Sequence, residues 1–334
     1  MSAIGRPITD AGGWRSFVKR GLRDTTGRAV IAVYVVAIAL VACTRFVNAS
    51  AGSGNYVKTV VALGTFTAVV SFGQGLVVLT GGFDLSIPNT MTLAAVILTQ
   101  VTQGSDEKAL YAIPMVVAIG IAIGLVNGLM TVIFRISAIV VTLATNTILG
   151  GVVLVYTGGQ PQGSAPLVVS RTAVGGFFDN SLPAIIVLLI VFLVVGTILM
   201  NKTTYGRRIY AVGEDAPAAR LSGISTSRVI VSVYAFSGAS AAIGGMLLAG
   251  YSGQSYTSMG DPYLLLSLAA VMVGGASVTG GKGLYVGTVG GAIILEAIST
   301  MLAGTTLPSS IQDIVYAVAI LVAVVVARVA RKPT

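Results

Sequence analysis

The chain has 334 residues, of which 55% are hydrophobic and only 9% are charged. Soluble globular domains carry about 25% charged residues, so this composition, with a mean hydropathy of +0.92, excludes a water-soluble fold and predicts an integral membrane protein. The absence of histidine and the single cysteine, Cys43, exclude internal disulfides, Cys/His zinc sites and histidine-dependent catalysis. The net charge of +9 lies in loops and at helix ends rather than in a basic stripe with aromatics, so we predict no nucleic-acid partner.

The N-terminal tail, residues 1–28, is basic and precedes a segment long enough to span a membrane. It carries Arg6, Arg15, Lys19, Arg20, Arg23 and Arg28. Basic residues are retained on the cytoplasmic side, so we expect the N-terminus in the cytoplasm. No small-residue cleavage site follows the basic region, and a cleavable signal peptide is not expected.

Residues 29–329 form the predicted transmembrane domain, with about ten helices and a cytoplasmic C-terminal tail at 330–334. The third apolar segment is too short to span alone and is expected to extend back through Leu85–Asn89 as a broken helix. The ten segments are Ala29–Val47, Thr59–Thr80, Met91–Thr102, Tyr111–Phe134, Ile136–Thr157, Pro183–Met200, Val229–Gly250, Tyr263–Thr279, Gly283–Ala303 and Ile311–Val329. The predicted fold class is therefore an all-α membrane protein in a lipid environment.

The basic residues support this ten-helix topology. When the segments alternate from a cytoplasmic N-terminus, 16 of the 20 Lys and Arg residues fall on the cytoplasmic side. The external segments keep only Arg45, Lys58, Lys108 and Arg171. Both termini are consequently expected in the cytoplasm.

A carboxylate follows the second segment in the sequence GGFDLS (81–86). Gly81 and Gly82 predict a helix break, and Asp84 lies beside it. A carboxylate near membrane depth usually faces a cavity or a partner, and broken helices are tolerated where they line a cavity. We therefore consider two roles for Asp84, capping the third helix and lining a polar pathway, which are compatible with each other.

Other polar side chains lie inside apolar segments. Gln74, Asn127 and Asn146 are candidates for a solute pathway because a polar solute needs hydrogen-bonding groups in an apolar tunnel. Hydrogen bonding between helices is the alternative role for each of them, and for Glu296. Glycines at 120, 124 and 128, and at 287 and 291, predict close helix packing within or between subunits.

The longest cytoplasmic loop spans 201–228 and predicts a short helix over Ala216–Leu221. Asp215 is a suitable N-cap, Pro217 fits the first turn, and Gly223 can end the helix in a left-handed conformation. A capped surface helix can dock into another protein, although an ordinary basic connector has the same pattern. Small residues give the helix a slim face able to enter a groove: Ala216, Ala218 and Ala219.

The glycine-rich run 274–283 resembles a phosphate-binding loop only superficially. That motif needs Gly, four residues and then Gly-Lys-Ser/Thr, whereas here Ala276 replaces the first Gly and Gly283 replaces the Ser/Thr. We therefore expect a helix break at Gly274, Gly275, Gly280 and Gly281, and no nucleotide hydrolysis, catalytic residue, metal or cofactor in this chain.

Four ordered segments resemble the permease subunits of the ribose/xylose/galactose group of ATP-binding-cassette importers, and the similarity runs from about residue 29 onward. These segments are GGFDLS (81–86), GLVNGLM with ISAIVVTLATNTILGG (124–130 and 136–151), TTYGRRIYAVGEDAPAARLSGIS (203–225) and LAAVMVGGASVTGGKGLYVGTVGGAII (268–294).

The resemblance implies a homodimer in the bacterial inner membrane. Its partners would be a cytoplasmic ATPase, which uses the ATP, and an external solute-binding protein. It also implies that the 203–225 segment contains a coupling helix that docks on the ATPase. The residues assigned to this contact are Gly213, Glu214, Asp215, Ala218, Ala219, Arg220, Leu221 and Gly223.

The predicted function is translocation of a sugar or similar polyhydroxylated solute by alternating access, without chemistry on the solute. Pro88 and Asn89 depart from the family pattern, as does Ala144, so a polyol stays open as the substrate. A permease for nucleosides or branched-chain amino acids is the main alternative. An ion-coupled transporter working alone would need more ionisable groups at the membrane centre.

Overall fold

A computed structural model of the chain describes residues 34–39, 54–177, 182–305 and, nearer the C-terminus, 308, 310–312, 314–318, 321 and 325. The predicted tails at 1–28 and 330–334 lie outside the described residues. So do most of the tenth apolar segment and the first one except for the helical residues 34–39.

The described chain is almost entirely helical. Its only strands, β1 (Gly176–Phe177) and β2 (Leu182–Pro183), form a small antiparallel pair in which Gly176 faces Pro183. The helices are α1 (Gly54–Leu79), α2 (Ile87–Thr102), α3 (Asp106–Ile133), α4 (Ala138–Thr157), α5 (Leu167–Val174), α6 (Ala184–Lys202), α7 (Thr204–Glu214), α8 (Ala216–Leu221), α9 (Thr226–Ser252), α10 (Tyr263–Val273) and α11 (Tyr285–Ala303).

Six of these helices are long and apolar enough to cross a membrane: α1, α3, α4, α6, α9 and α11. At about 1.5 Å per residue, a helix of 19 residues just crosses a hydrocarbon core of about 30 Å. The 16-residue α2 and the 11-residue α10 are shorter, which agrees with the predicted interruptions of the third and eighth segments. The structure therefore supports an all-α, multi-pass membrane protein, while the total of ten spans stays a prediction.

The core lies around α1. The most apolar part of α1 is 83% buried inside the chain, against 11% for α4 and 17% for α6. α1 packs against α9, α11, α10 and α6, while α2 fills the space between α9, α3 and α4. The outward faces of α3, α4 and α6 are rich in exposed apolar side chains, as expected for surfaces in contact with lipid or another subunit.

Glycines hold α3 against α9 at backbone contact. A Cβ on Gly124 would overlap the carbonyl oxygen of Tyr234, and one on Gly128 would lie 2.7 Å from the Cα of Val231. Gly120 meets the backbone of Gly238 in the same way. Without a hydrophobic effect between helices in lipid, such close packing is a principal source of association. The predicted glycine packing face therefore lies within this chain.

The connections gather at two opposite ends of the bundle. At one end, Gly281 N donates to Leu79 O at 3.0 Å, and the Tyr210 hydroxyl donates to Gly283 O at 2.7 Å. At the other end, Gly104 N donates to Ser164 O and Ala165 N donates to Gly253 O, both at 2.9 Å. The loops alternate between ends in the predicted order, and the side of the membrane that each end faces stays a prediction.

Candidate functional site

The turn between α1 and α2 is built by a glycine C-cap. Gly81 has a φ of +82°, in the left-handed region, and its N–H donates to Val78 O at 2.9 Å. Gly82 N donates to Val77 O at 3.1 Å. This pair of bonds is the Schellman arrangement, which satisfies carbonyls left free at a helix end. The predicted helix break at Gly81 and Gly82 is thus a true helix end, and α2 begins separately at Ile87.

Asp84 is buried in this turn, with 2% of its surface exposed. Its Oδ1 accepts hydrogen bonds from Ser86 N at 3.0 Å and from Ser86 Oγ at 2.6 Å. The backbone bond spans two residues, which makes an Asx turn rather than an N-cap. The capping role predicted for Asp84 is therefore wrong in detail, because the carboxylate orders the turn before the helix begins.

The first turn of α2 is capped from another helix. Asn89 N donates to Asn146 Oδ1 at 3.1 Å, and Asn89 Nδ2 donates back to Asn146 O at 2.8 Å. The free N–H groups at a helix start must find acceptors when they are buried. Asn146 on α4 thus supplies the cap and fixes α4 to the start of α2.

Hydrogen bonds also connect the turn around Asp84 and Ser86 to α3 and α4. Asn127 is fully buried; its Nδ2 donates to Ser86 Oγ at 2.8 Å, and its Oδ1 accepts from Thr145 Oγ1 at 2.6 Å. We call Asp84, Ser86, Asn127, Thr145 and the pair Asn89–Asn146 the polar cluster. It brings together three of the four predicted pathway residues at the junction of α1, α2, α3 and α4.

Among the buried polar atoms of the described residues, Gln74 Oε1 accepts no hydrogen bond. The Asp84 carboxylate and the Ser237 hydroxyl interact with each other, although Asp84 Oδ2 and Ser237 Oγ make no hydrogen bond of standard geometry. Leaving such an atom unsatisfied costs about 1–3 kcal/mol. Gln74, the fourth predicted pathway residue, lies on α1 and is joined to the polar cluster by no hydrogen bond among the described residues. Glu296 lies elsewhere and accepts from Thr67 Oγ1 at 2.6 Å, which is the interhelical role considered for it.

Sequence reasoning missed several contributors. Tyr234 on α9 donates its hydroxyl to Phe83 O at 3.2 Å and so holds the α1–α2 turn. Ser86, Thr145 and Ser237 carry no signal of their own, because serine and threonine inside membrane helices usually bond their own backbone. Asn89 was noticed only as a departure from a family pattern, yet its position opposite Asn146 is what joins two helices.

The other departures from that pattern differ in position. Pro88 lies in the first turn of α2, where a missing N–H leaves no helix bond unmade. Its carbonyl oxygen packs so closely on Gly260 that no Cβ fits there. Ala144 is exposed on α4, immediately before Thr145 and Asn146 of the polar cluster.

The second candidate site is the segment α7–α8 at one end of the bundle. Helix α8 covers Ala216–Leu221, the predicted range, and Asp215 Oδ1 accepts from Ala218 N at 2.9 Å as the predicted N-cap. Gly223 has a φ of +81°, as expected for the residue that ends it. The preceding helix α7 was not predicted; it buries Gly206, Ile209 and Val212 on one face and exposes arginines on the other.

The two faces of α8 differ from the predicted assignment. Ala219 is only 5% exposed and packs against the core, so it does not belong to an outward docking face. Leu221 is 91% exposed, and Ala218 and Arg220 are also exposed. The outward surface therefore presents a large apolar side chain beside a guanidinium group. Of the remaining assigned residues, Glu214, Asp215 and Gly223 are exposed. Gly213 is half-buried, and the position of its missing side chain faces the backbone of Leu79 and Gly281, so it does not belong to the outward docking surface either.

The glycine-rich run is non-helical, as predicted. α10 ends at Val273, and Gly275, Gly280 and Gly281 have φ values of +110°, +89° and +72°. A hydrogen bond from Ser277 N to Lys282 O, at 2.7 Å, closes the loop on itself before α11 begins at Tyr285. Gly274 is packed against the backbone of Gly287 and Thr288, which brings α10 and α11 together.

A bundle of apolar helices with interrupted members, a buried network of amide, hydroxyl and carboxylate groups, and a capped helix projecting at one end defines a membrane transport protein. Residues 56–325 match the family described as branched-chain amino acid transport system / permease component, and the chain belongs to that family. Its members are transporters rather than enzymes.

Curated relatives support the same assignment. The chain is 34% identical to the ribose import permease protein of Escherichia coli K12 over 264 residues, covering 78% of this chain and 81% of that protein. It is 33% identical to the ribose import permease protein of Bacillus subtilis 168 over 261 residues, covering 78% and 80%. It is 30% identical to the galactose/methyl galactoside import permease protein of E. coli K12 over 286 residues, covering 80% and 84%. No solved structure matches the chain.

Proposed function

We propose that this chain is the permease subunit of an ATP-driven importer for a sugar or a similar polyhydroxylated solute. The observation that carries the proposal is the similarity to the ribose import permease over about four fifths of both proteins. The polar cluster supports it chemically. Amide, hydroxyl and carboxylate groups such as Asn127, Thr145 and Asp84 can exchange hydrogen bonds with sugar hydroxyls during passage.

The energy source is a separate ATPase that binds the cytoplasmic end of the bundle. The sequence contains no nucleotide-binding loop. The exposed Leu221 on the capped α8, with Arg220 beside it, gives an apolar anchor and a positive charge for a groove on that partner. Closure of the ATPase on ATP would move α8 and drive alternating access.

The remaining assembly follows from the family resemblance. We infer a homodimer in the bacterial inner membrane, with both termini in the cytoplasm and a solute-binding protein at the opposite end. The outward apolar faces of α3, α4 and α6 provide surface both for lipid and for the second copy.

A permease for branched-chain amino acids is the second candidate, because the matching family carries that description. A zwitterionic amino acid would require a cation for its carboxylate as well as an anion for its ammonium group. The polar cluster supplies the carboxylate of Asp84 and otherwise only amides and hydroxyls. This chemistry favours the hydroxylated solute.

Uptake in cells that co-produce the chain with its ATPase and solute-binding protein tests the proposal. D-ribose, D-galactose, xylitol and L-leucine are supplied as radiolabelled probes. We expect uptake of a sugar or polyol that stops when the ATPase is replaced by a variant that binds but does not hydrolyse ATP. Uptake of leucine alone would support the second candidate. Accumulation by the purified chain in liposomes, driven by an ion gradient without ATPase, would overturn the importer assignment.

A further inference from the structure

Three separate helix ends and loops meet at one point close in sequence to α8. They are the end of α1 at Leu79, the last turn of α7 at Gly213 and the loop glycines Gly280 and Gly281. We call these four residues the junction. The junction is close to α8 along the chain, since only Glu214 and Asp215 separate Gly213 from Ala216, where α8 begins.

A hydrogen bond ties two of the three breaks. The carbonyl of Leu79 is the last in α1, so no N–H group of the same helix is available to donate to it. It accepts the N–H of Gly281 at 3.0 Å. The glycine-rich loop thus completes the C-terminus of α1, and a displacement of either element disturbs the other.

Gly213 brings the third break into direct backbone contact. A Cβ at this position would overlap Leu79 O and would lie 2.6 Å from Gly281 N. The backbone of Gly213 therefore lies against the same hydrogen bond that joins α1 to the loop. On the other side, a Cβ on Gly280 would lie 2.9 Å from Gly213 O and 3.1 Å from Gly81 N. No side chain separates these backbones.

A second contact ties α7 to the start of α11. The hydroxyl of Tyr210 donates to Gly283 O at 2.7 Å, two residues before α11 begins. Burial raises the pKa of this hydroxyl above its ordinary value, so it keeps the proton it donates. α7 is therefore attached to the loop at two points, one turn apart.

The junction is continuous with the polar cluster. Asp84 follows Leu79 by five residues, through the C-cap at Gly81 and Gly82. The Tyr234 hydroxyl holds Phe83 O at 3.2 Å, so the turn cannot slide independently of α9. A shift of Leu79 must consequently reach Asp84 and the start of α2.

We propose that the junction transmits the movement of α8 to the polar cluster, with Gly213 and Tyr210 as the positioning residues. The proposal rests on the proposed function, in which α8 receives the movement of an ATPase. Direct backbone contact suits this role because protein interiors are close-packed and compress little. A side chain at position 213 would hold α7 away from Leu79 and let α8 move without α1.

Gly213→Ala in the complex of permease, ATPase and binding protein is the first test. Gly75→Ala is the matched control, since Gly75 lies one turn before Leu79 and its Cβ would lie 3.6 Å from Val271 Cγ2, an ordinary contact. We expect Gly213→Ala to keep the ATPase through purification and to keep basal ATP hydrolysis. Stimulation of hydrolysis by the solute-loaded binding protein should fall at least about tenfold, consistent with overpacking of a close contact, and transport should fall with it. Gly75→Ala should behave as the parent chain.

Tyr210→Phe is the second variant, because it keeps the ring and removes only the bond to Gly283. We expect at most a small drop in the melting temperature of the complex, and about a threefold to tenfold loss of stimulation, the range of one net hydrogen bond. Normal stimulation of assembled Gly213→Ala would show that the junction does not transmit the movement. If the Gly213→Ala permease does not fold, Tyr210→Phe decides, and normal stimulation of that variant would overturn the proposal. Loss of the ATPase from purified Gly213→Ala would also overturn the proposal, since the residue would then act on docking. A separate variant tests whether α8 docks on the ATPase at all. If Leu221→Asp retains the ATPase, the docking of α8 is wrong, whatever the result for the junction.

Discussion

Asp84 combines burial with a hydrogen-bonding role that belongs to the turn rather than to α2. Its Oδ1 accepts from Ser86, while the carboxylate also interacts with the Ser237 hydroxyl on α9. The same side chain thus orders the turn through Oδ1 and meets α9 through Ser237. The role of Asp84 in ordering the turn can therefore be tested separately from its role in transport.

Asp84→Ala and Asp84→Asn should differ. The alanine variant loses both bonds from Ser86 and leaves Asn127 with a disturbed acceptor, so we expect a loss of stability of about 1–3 kcal/mol together with loss of transport. The asparagine variant keeps an oxygen for Ser86, and we expect a melting temperature near that of the parent with impaired transport. The control is Asp261→Ala, which removes an exposed carboxylate. Normal transport by a folded Asp84→Ala would remove both roles.

Asn146→Ala tests the cap that α4 gives to α2. The N–H of Asn89 would lose its acceptor, and a lost cap costs about 0.5–2 kcal/mol. We expect a lower melting temperature in detergent and reduced uptake. Thr147→Ala, which removes an exposed hydroxyl bonded only to its own helix, is the matched control for stability. An unchanged melting temperature for Asn146→Ala would show that α2 needs no cap from α4.

At this scale the sequence predicted residue types better than residue partners. Asp84, Asn127 and Asn146 were identifiable because charged and amide groups are costly in an apolar segment. Their partners were not, since Ser86, Thr145 and Tyr234 become informative only when helices distant in sequence are brought together. Ala219 shows the same limit, because the sequence marked it as small but not which face of α8 it occupies.

Among the elements, α8 was predictable to the residue because its ends are chemically marked. Asp215, Pro217 and Gly223 each suit one position at a helix end, and all three are used as expected. α7 escaped prediction because its apolar positions, Ile209 and Val212, are few and lie among arginines. The helix break predicted at Gly81 and Gly82 is a complete end of α1, closed by a Schellman pattern that the sequence did not specify.

Leu221→Asp should remove the ATPase from the purified permease. Leu221 is 91% exposed at the tip of the segment, so the change should leave insertion and packing of the membrane helices intact while placing a charge in an apolar contact. Pull-down of the ATPase and ATP hydrolysis stimulated by the binding protein are the measurements, with Leu221→Met as the control. Full retention of a stimulated ATPase by Leu221→Asp would make the segment an ordinary basic connector.

Ala219→Trp tests the packing of α8 against the core, rather than the docking on a partner that the small size of Ala219 predicted. Because Ala219 packs against the core, a tryptophan there should displace α8 and destabilise the fold by about 1–3 kcal/mol or more through overpacking. A lowered melting temperature of the permease without its ATPase is the expected result. An unchanged melting temperature would place Ala219 on the outer surface.

For the whole molecule, the two ends of the bundle should differ in access from outside the cell. In a Cys43→Ser background, Gln160→Cys and Lys282→Cys place single thiols on exposed positions at opposite ends. An impermeant maleimide applied to intact spheroplasts should label position 160 only, and both positions after lysis. Thr334→Cys should behave as position 282 if the C-terminus is cytoplasmic. The reverse pattern would invert the topology.

The overall architecture was predictable because hydropathy and basic residues act over whole segments and do not depend on partners. The order of segments and the alternation of loops follow from them. Which helices are central did not follow, since α1 and α4 are both apolar along their length and differ in what surrounds them. That distinction comes from packing, to which glycine and small residues contribute more than hydrophobicity does.

The contact between α3 and α9 has a consequence for genetic variation. At positions 120, 124 and 128 the neighbouring backbone leaves no room for any side chain, whereas Ile121, Leu125 and Val126 are exposed between them. A library of all single substitutions, sorted by transport, should therefore show intolerance every fourth residue along this helix and broad tolerance of apolar residues elsewhere. The intolerant positions would identify the face of α3 that packs against α9. Genetic data alone would then give the register of the two helices.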